Sequence, residues 1–426
     1  MPKLINNQQR LLLIAPHNSY RIAPYITAAK KMGVAILVAS TSEHSLVSDV
    51  ADGLRIDLDV TNEKLQHALR LILKAHQKTP FTGIIATDDS AVSLAANAAK
   101  ALELPHNPPE AVQLTHRKDL ARARLKQHGV PVPEFRRIDL SADLTQQCAD
   151  LPYPCVIKPL SLSGSRGVIR VNDTEACLLA CKRVQKIIRQ LADQESQRYL
   201  LVESYIPGAE VAVEAMLDNG KLKILALFDK PDPMEGPYFE ETYYITPSRL
   251  PEPQQQQIAQ RVSEACAAYG LVTGPVHAEL RLHDGESWIL EVAARTIGGQ
   301  CAQLLHHGTG YGLEELVIAQ ATGKQLPTEV NDKAAGVLMI PIPVAGILRR
   351  VEGLSAARRV SHVLDVEISV RNGYELVPLP EGAAYLGFIF AQGPDPKSVE
   401  NALRKAHACL KFVTAPVWKL TNTSTS

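Results

Sequence analysis

The stretch from Val276 to Arg295 constrains the fold more than any other, because apolar and polar residues alternate in it on both sides of the turn sequence Asp284-Gly285. Residues two apart on a β-strand share a face. The two apolar faces would consist of Val276, Ala278, Leu280 and Leu282 on a first strand, and of Trp288, Leu290 and Val292 on a second. The sequence therefore predicts a β-hairpin with one buried face.

The register of this hairpin follows from its apolar faces. A two-residue turn at Asp284-Gly285 would pair Glu279 with Leu290 and so place polar against apolar side chains, which conflicts with the pleat. A three-residue loop ending in a bulge would instead pair Glu279 with Glu291 and make the faces agree. We therefore predict that Glu279 lies directly opposite Glu291, and that His277 lies next to Ala293.

Two carboxylates placed in this way repel each other by about 4 kcal/mol at a separation of about 4 Å and an effective dielectric of about 20. Either Arg281 or Arg295 neutralises them, or a hard divalent cation binds between them. Oxygen ligands favour Mg²⁺ or Mn²⁺ over zinc. The residues alone leave a metal site and a structural ion-pair network equally open. Gly298-Gly299, shortly after Arg295, favours a nearby ligand because glycines permit close backbone approach.

The first hundred residues alternate between strand and helix patterns. Strands are predicted at 11–15, 34–39, 54–60 and 83–87, and helices at 23–32 and 61–78. This order is typical of βαβ units in a parallel sheet. No G-x-G-x-x-G sequence follows any of these strands, so we expect a Rossmann-like domain without the dinucleotide fingerprint. Asp88 and Asp89 follow the last strand, where they would cap a helix or face a ligand.

A small-residue loop, SLSGSRG at 161–167, follows a predicted strand that Lys158 closes. Backbone N–H groups in such a loop can cradle phosphate oxygens, and a lysine adds positive charge. Lys118 lies on an earlier basic helix and, from the residues alone, is a solvated surface lysine. The proline-rich segment 229–253 predicts a long ordered loop, and the region after 323 predicts strands followed by a helix that Asp395 caps.

Composition limits the classes of partner. The 45 basic residues balance 45 acidic ones, so the chain shows no net electrostatic footprint for nucleic acid or an anionic membrane. No apolar run approaches the roughly 18 residues of a membrane-spanning helix. The seven cysteines form no C-x-x-C pair. We therefore expect a cytoplasmic protein that acts on small molecules.

Taken in order, these parts resemble the ATP-grasp superfamily: Lys118, Lys158 with its loop, the segment 203–210, and the hairpin ending at Arg295. The resemblance covers residues 115–325. Within the superfamily, the stretches 229–250 and 291–299 and the sequence GVLMIPIP at 336–343 are most similar to the L-amino-acid ligase branch.

The resemblance implies a mixed α/β and α+β architecture in three parts. These are a Rossmann-like pre-ATP-grasp domain at 1–112, an ATP-grasp domain at 113–325 with a small lid subdomain at about 135–205, and a C-terminal L-amino-acid-ligase-like α+β domain at 326–426.

The resemblance also implies a role for each site residue. Lys118 and Lys158 would hold the ATP phosphates, and the loop 163–168 would close over them as a lid. The full set implied for ATP is Lys118, Lys158, Ser163, Gly164, Ser165, Arg166, Gly167, Glu203, Ser204, Ile206 and Glu210. Among these, Glu203, Ser204 and Ile206 would contact the adenine, and Glu210 the ribose.

For the chemistry, the resemblance implies that Glu279 and Glu291 hold Mg²⁺ (Mn²⁺ being the alternative ion). Arg295 and Gly298 would stabilise the transferred phosphoryl group and the tetrahedral intermediate. The amino-acid pocket would be lined by Glu241, His277 and Gly299. His277 would either orient or deprotonate the attacking amine, or only shape the pocket.

The sequence departs from the superfamily pattern at one position. The usual E-x-N-x-R appears here as Glu291-Val-Ala-Ala-Arg295, so Ala293 replaces the asparagine that helps to hold a second metal ion. A second fully coordinated Mg²⁺ would need water or substrate oxygens as replacement ligands.

The implied reaction joins a carboxylate to an amine through an acyl phosphate and releases ADP and phosphate. Its alternatives are an ATP-dependent carboxylase of the biotin-carboxylase or purine-pathway type and a non-catalytic nucleotide-binding module. An NAD-dependent dehydrogenase is a remote alternative, because the sequence lacks the glycine fingerprint of dinucleotide binding. Members of the superfamily are often dimers, so a homodimer is the expected assembly.

Overall fold

The computed structural model describes residues 9–41, 52–326 and 333–417 of the 426-residue chain. Contacts between segments divide the chain into two compact units. The first unit consists of Met1–Val132, Val211–Leu227 and Leu250–Asp332. The second unit consists of Pro133–Glu210, Phe228–Arg249 and Lys333–Ser426.

The described chain contains both strands and helices. The strands are β1 (Arg10–Ala15), β2 (Ala35–Ser40), β3 (Asp52–Arg55), β4 (Gly83–Ala86), β5 (Phe135–Asp139), β6 (Cys155–Pro159), β7 (Ile169–Val171), β8 (Tyr199–Ser204), β9 (Ala209–Asp218), β10 (Lys221–Lys230), β11 (Tyr243–Thr246), β12 (Gly274–His283), β13 (Glu286–Ala293), β14 (Ala334–Ile340), β15 (Gly346–Glu352), β16 (Val363–Ile368), β17 (Glu375–Leu376), β18 (Gly387–Gly393) and β19 (Lys411–Ala415). The helices are α1 (Ile22–Met32), α2 (Asn62–Lys78), α3 (Asp89–Ala101), α4 (Pro109–His116), α5 (Lys118–Gln127), α6 (Leu144–Ala149), α7 (Thr174–Ile188), α8 (Gln194–Arg198), α9 (Glu252–Tyr269), α10 (Ala302–Thr309), α11 (Leu313–Ala321), α12 (Leu354–Ala357) and α13 (Pro396–Ala408).

The N-terminal part of the first unit is a parallel sheet with the strand order β3-β2-β1-β4. Its core packs Leu12 and Ile14 of β1 against Ile72 of α2 and Leu94 of α3. This arrangement confirms the predicted Rossmann-like fold. The strand predicted at 54–60 was too long, because β3 ends at Arg55.

The rest of the first unit is built around the strand order β13-β12-β9-β10, with β9 and β10 contributing Val211–Leu227. The apolar residues of β12 are buried with Ile258 and Val262 of α9 and Leu125 of α5. The predicted apolar face of this strand is thereby confirmed at Val276, Ala278, Leu280 and Leu282.

The hairpin of β12 and β13 has a tighter turn than the sequence predicts. The turn contains two residues, Asp284 and Gly285, which both have positive φ (51° and 76°), and His283 pairs with Glu286. A two-residue turn with positive φ at both positions matches the twist of the flanking strands. The prediction of a three-residue loop was therefore wrong.

A β-bulge in the middle of the hairpin produces the pairing that the sequence predicts. Leu280 pairs with Ile289, whereas its neighbour Glu279 pairs with Glu291, so Leu290 is an extra residue in β13. A bulge inserts one residue into one strand of the ladder and thereby shifts the register. The prediction that Glu279 lies opposite Glu291 is confirmed, although the shift lies inside the strands and not at the turn.

The bulge also changes which side chains of β13 face the core. Ser287 and Ile289 are fully buried, whereas Trp288 and Leu290 are only partly buried. Side chains of a strand point alternately to its two faces, so one inserted residue moves every residue between the bulge and the turn to the opposite face. The assignment of Trp288 and Leu290 to the apolar face was therefore wrong, and that of Val292 is confirmed by its burial.

A side chain of α5 forms a hydrogen bond to the extra residue of the bulge. The guanidinium of Arg122 donates a hydrogen bond from Nη2 to the carbonyl oxygen of Leu290, and Arg122 is only 1% exposed. A bulge disrupts the ladder locally, and a carbonyl that loses its ladder partner and is shielded from water needs a donor from elsewhere. Arg122 supplies that donor.

The second unit contains an antiparallel sheet with the order β5-β8-β6-β7, which packs against α7. Four cysteines contribute to this core, and all of them are fully buried: Cys148, Cys155, Cys177 and Cys181. Cysteine packs as a small apolar residue in such surroundings.

The C-terminal part of the second unit contains the strand order β11-β14-β18-β16, packed against α13, and a separate sheet with the order β17-β15-β19. The interpretation of 229–253 as one long loop was incomplete, because β11 lies inside it and pairs Tyr243 with Leu338. Aromatic and β-branched residues in this short stretch favour a strand despite the surrounding prolines. Asp395 caps α13 as predicted, accepting from the N–H of Ser398.

Together these elements confirm the predicted mixed α/β and α+β fold class. The boundaries of the three predicted domains stay predictions. Among the helices of the described residues, none has the length and apolar character needed to cross a membrane.

We expect Arg122→Met to destabilise the fold by about 1–3 kcal/mol, because it leaves the part-buried Leu290 carbonyl without its donor. The free energy of urea unfolding measures this loss. Arg124→Met is the matched control, since Arg124 is an exposed arginine on the same helix. Equal unfolding free energies for the two variants would contradict the role of Arg122.

Candidate active site

The paired carboxylates of Glu279 and Glu291 form the centre of the candidate site in the first unit. Their side chains are 20% and 30% exposed. Lys118, the first residue of α5, places its Nζ 3.1 Å from Glu291 Oε2, with a side chain only 14% exposed. Lys118 is therefore not the solvated surface lysine that the residues alone suggest.

His277 lies between two carboxylates. Its Nδ1 is 3.4 Å from Glu214 Oε2, and its Nε2 is 3.6 Å from Glu279 Oε1. Burial by itself lowers the pKa of His277, but the two carboxylates outweigh burial and raise its pKa to about 9. An imidazolium has no proton acceptor to offer at neutral pH, so this geometry favours a positioning role over deprotonation of an amine.

Glu214 is a member of this cluster that the sequence analysis missed. Its side chain is completely buried, and burial raises its pKa. Glu214 Oε2 accepts the backbone N–H of Ile297 at 3.0 Å. The signal was present in the sequence, because Glu214 stands as a charged residue inside the apolar run of β9.

Arg295 is held rigidly from α3. Its Nε and Nη2 donate to the two carboxylate oxygens of Asp89 at 2.8 and 2.9 Å. Burial of Asp89 tends to raise the pKa of that carboxyl, but Arg295 overcomes this effect and lowers it. Asp89 therefore serves as the partner of an arginine, a role that the sequence analysis did not consider.

The neighbouring Asp88 holds a second arginine, Arg21, which the sequence analysis also missed. Arg21 Nη1 donates to Asp88 Oδ1 at 2.7 Å, and Arg21 Nη2 donates to the carbonyl oxygen of Ile297 at 3.2 Å. Nothing in the local sequence around Arg21 marks it, because its partners lie far along the chain.

In the second unit, Lys158 forms an ion pair with Glu203, with Nζ 2.6 Å from Oε2. Glu203 is 1% exposed, so the carboxylate of this pair is buried. Ser204 ends β8 and its Oγ accepts the backbone N–H of Glu134, and Ile206 follows in the adjoining segment.

The lid loop (residues 163–168) contacts a segment near residue 380 within the same unit. The N–H of Gly167 donates to the carbonyl oxygen of Pro380 at 2.9 Å, and Arg166 Nε donates to that of Glu381 at 3.0 Å. Gly164 and Ser165 have positive φ (64° and 54°), which requires a backbone without a bulky side chain at that point. Ser163 precedes this turn.

Glu210 and Glu241 are brought together by a lysine that the sequence analysis missed. Lys230 Nζ lies 2.9 Å from Glu210 Oε1 and 3.0 Å from Glu241 Oε1, and its side chain is 3% exposed. A buried lysine requires carboxylate partners of this kind. Its position at the end of a strand in an apolar stretch was the available signal.

The donor set of the first unit fits a single hard cation. Glu279 and Glu291 face each other on adjacent strands and offer only oxygen atoms, which suits Mg²⁺. Ala293 pairs with His277 and provides no ligand atom. It stays a prediction that a second Mg²⁺ would need water or substrate oxygens as ligands. Mn²⁺ as the alternative ion also stays a prediction.

Family models match three parts of the chain. An ATP-grasp N-terminal domain matches residues 26–106, an ATP-grasp domain matches residues 151–303, and an L-amino acid ligase C-terminal domain 2 matches residues 338–415.

Three known proteins illustrate the similarity. The crystal structure of an L-amino acid ligase from Bacillus licheniformis matches 96% of this chain and 99% of that chain, with 26% identity and a TM-score of 0.83. The alanine–anticapsin ligase of Bacillus subtilis is 22% identical over 60% of this chain and 57% of its own length. An N5-carboxyaminoimidazole synthetase from Staphylococcus aureus, complexed with ADP, shares the fold at 15% identity and a TM-score of 0.69, over 94% of this chain and 97% of that chain.

The chain contains an ATP-grasp domain and is similar to ATP-grasp enzymes of the carboxylate–amine ligase class. Within that class it is similar to the L-amino acid ligases, as its C-terminal domain and its structural match show. The resemblance predicted from the sequence is confirmed.

The raised pKa of His277 makes stability depend on pH. The unfolded histidine titrates near 6.5 and the folded one near 9, so its stabilising contribution is full below pH 6.5 and is lost as pH rises towards 9. The loss amounts to about 3 kcal/mol. We expect His277→Gln to remove this decline, measured as unfolding free energies from pH 6 to about 9 in metal-free buffer.

His283→Gln is the control for this measurement, because His283 ends the same strand but lies away from Glu214. The control should keep the decline of the unaltered protein. Parallel pH profiles for His277→Gln and the unaltered protein would contradict the charged state assigned to His277.

Proposed function

We propose that this enzyme joins the carboxylate of an amino acid to an amine, using ATP and passing through an acyl phosphate, with release of ADP and phosphate. The observation that supports this most is the Glu279–Glu291 pair, which lies beside Lys118 in a site where Arg295 is fixed by Asp89. The L-amino acid ligase C-terminal domain at 338–415 favours a ligase over a carboxylase.

The chemistry follows from the weak reactivity of a carboxylate. Its oxygen attacks the γ-phosphorus of ATP, the bond to the β-phosphate oxygen breaks, and ADP leaves. The amine nitrogen then attacks the acyl carbon, and phosphate leaves with the electron pair of the broken C–O bond while the amine loses a proton. Positioning and charge neutralisation are the main contributions that a protein makes to phosphoryl transfer.

In the first unit, Glu279 and Glu291 would hold Mg²⁺, which would neutralise charge on the phosphates. Lys118 would bind phosphate oxygens once its contact with Glu291 is shared with the ligand. Arg295 and the N–H of Gly298 would stabilise the transferred phosphoryl group and the oxyanion of the tetrahedral intermediate.

In the second unit, Lys158 would bind phosphate, and the lid loop would cover it and exclude water that would otherwise hydrolyse the acyl phosphate. Backbone groups of Glu203, Ser204 and Ile206 would contact the adenine, and Glu210 the ribose. The buried Glu203 side chain is compatible with recognition through its backbone.

The proposed residues for binding the amino-acid substrate are His277 and Gly299 in the first unit and Glu241 in the second. Because the carboxylates around His277 keep it charged, His277 would orient a carboxylate or a carbonyl, and the amine would arrive as the free base. A homodimer remains the proposed assembly.

The test of this function is a phosphate-release screen with ATP and Mg²⁺ over all pairs of the twenty amino acids. We expect release that needs both partners, with one dipeptide formed per ADP by mass spectrometry. Single amino acids and bicarbonate are the controls. Release driven by bicarbonate would instead indicate a carboxylase, and failure of every pair to stimulate release would contradict the ligase proposal.

Substitution of one metal-binding carboxylate should separate binding from turnover. We expect Glu291→Gln to lower kcat by at least about 10²-fold, because charge developing on the transferred group is no longer neutralised. Nucleotide affinity measured by calorimetry without metal should change by less than about 3-fold, which is under 1 kcal/mol.

Glu286→Gln is the matched control for this variant, since Glu286 is an exposed glutamate on the same strand. The control should keep the kcat of the unaltered enzyme. Full activity of Glu291→Gln would remove the metal assignment.

A further inference from the structure

Two buried side chains of the first unit form hydrogen bonds to the backbone of the segment that follows Arg295. Glu214 accepts the N–H of Ile297 at 3.0 Å, and Arg21 donates to the carbonyl oxygen of the same residue at 3.2 Å. Both of these hydrogen bonds are buried. The two hydrogen bonds restrain both the N–H and the carbonyl of Ile297.

Because of the planar peptide bond, the restraint on the Ile297 carbonyl also restrains Gly298. The carbonyl of Ile297 and the N–H of Gly298 belong to one planar peptide unit, and in a trans peptide they point in opposite directions. A guanidinium that fixes the carbonyl therefore fixes the direction of the Gly298 N–H as well. A cation on the carbonyl also polarises the peptide and strengthens the N–H as a donor.

Arg21 is itself fixed and has little freedom to do anything else. Its Nη1 donates to Asp88 at 2.7 Å, and the other oxygen of Asp88 accepts the hydroxyls of Ser19 and Thr87, each at 2.5 Å. Arg21 is 7% exposed. Asp88 thus holds Arg21 in the way that its neighbour Asp89 holds Arg295.

The contact with Gly298 is also close. A Cβ atom added at Gly298 would lie 3.4 Å from Arg21 Nη2, which is ordinary to tight van der Waals contact. Among the hydrogen bonds of the described residues, none has the N–H of Gly298 as donor, while its carbonyl accepts from Cys301 at 3.1 Å. The N–H is thus available to a ligand.

We propose that Arg21, anchored by Asp88, is a positioning residue that directs the Gly298 N–H towards the oxyanion formed when the amine attacks the acyl phosphate. This inference rests on the proposed ligase function and adds to it a residue from the N-terminal part of the chain. Arg21 acts through the peptide and does not itself touch the reacting atoms.

The test compares Arg21→Gln and Arg21→Lys with the unaltered enzyme. Misdirecting one oxyanion donor should lower kcat by about 10²-fold in Arg21→Gln, while the KM for ATP stays within about 2-fold. Arg21→Lys keeps the charge but cannot reach Asp88 and the Ile297 carbonyl with a rigid fork, so we expect a decrease of about 10-fold. Asp88→Asn, which loosens the anchor and leaves Arg21 in place, should also lower kcat selectively.

Arg10→Gln is the matched control, because Arg10 also donates to a backbone carbonyl, that of Thr79 at 2.8 Å, in the same unit. Loss of a structural hydrogen bond should lower stability in both Arg10→Gln and Arg21→Gln but lower kcat only in the latter. A rise in the KM for ATP equal to the fall in kcat, or an equal loss of kcat in the control, would overturn the proposal.

The order of the backbone at 296–301 can be measured independently of enzyme activity, by hydrogen exchange followed by mass spectrometry. Exchange in this segment should be faster in Arg21→Gln and unchanged in Arg10→Gln. Unchanged exchange in Arg21→Gln would overturn the inference even in an active ligase. An unaltered enzyme without turnover on any amino-acid pair would contradict the proposed function, and with it a catalytic role for Arg21, whereas the exchange result would still show whether Arg21 orders the segment.

Discussion

The bulge in the β12–β13 hairpin is the constraint on which the candidate site depends. With the observed two-residue turn and no bulge, Glu279 would face Leu290, and the carboxylates would point to opposite sides of the sheet. The inserted residue shifts the register by one and brings Glu279 opposite Glu291. That arrangement is stable because Arg122 satisfies the displaced Leu290 carbonyl from inside the core.

Three cations of the candidate site in the first unit each pair with a different carboxylate. Asp88 and Asp89, adjacent in sequence, hold Arg21 and Arg295, and Lys118 pairs with Glu291. An unpaired buried charge would cost several kcal/mol, so these pairs fix the arginines in single conformations. Arginines that are fixed in this way would need little reorganisation in the proposed reaction.

The sequence was most informative where chemistry depends on local spacing. The alternation around Glu279 and Glu291 predicted their pairing, although it assigned the register shift to the turn. The faces of β13 were misassigned at Trp288 and Leu290, because an internal bulge leaves no mark in a strict period of two. The short strand Tyr243–Thr246 was not predicted, because the prolines around it favour a loop.

What the sequence determined by itself was the order of functional parts: a lysine before a small-residue loop, an acidic hairpin, and an arginine–glycine segment. Backbone periodicity and short motifs are local properties, and these parts follow from them. Only the tertiary structure decided that Arg21 and Glu214 contact the arginine–glycine segment in the first unit, and that Lys230 pairs with Glu210 and Glu241 in the second unit. Each of these side chains meets partners that are distant in the sequence or lie on neighbouring strands. The free energy of burying a charge is set by its three-dimensional partners, which no local pattern specifies.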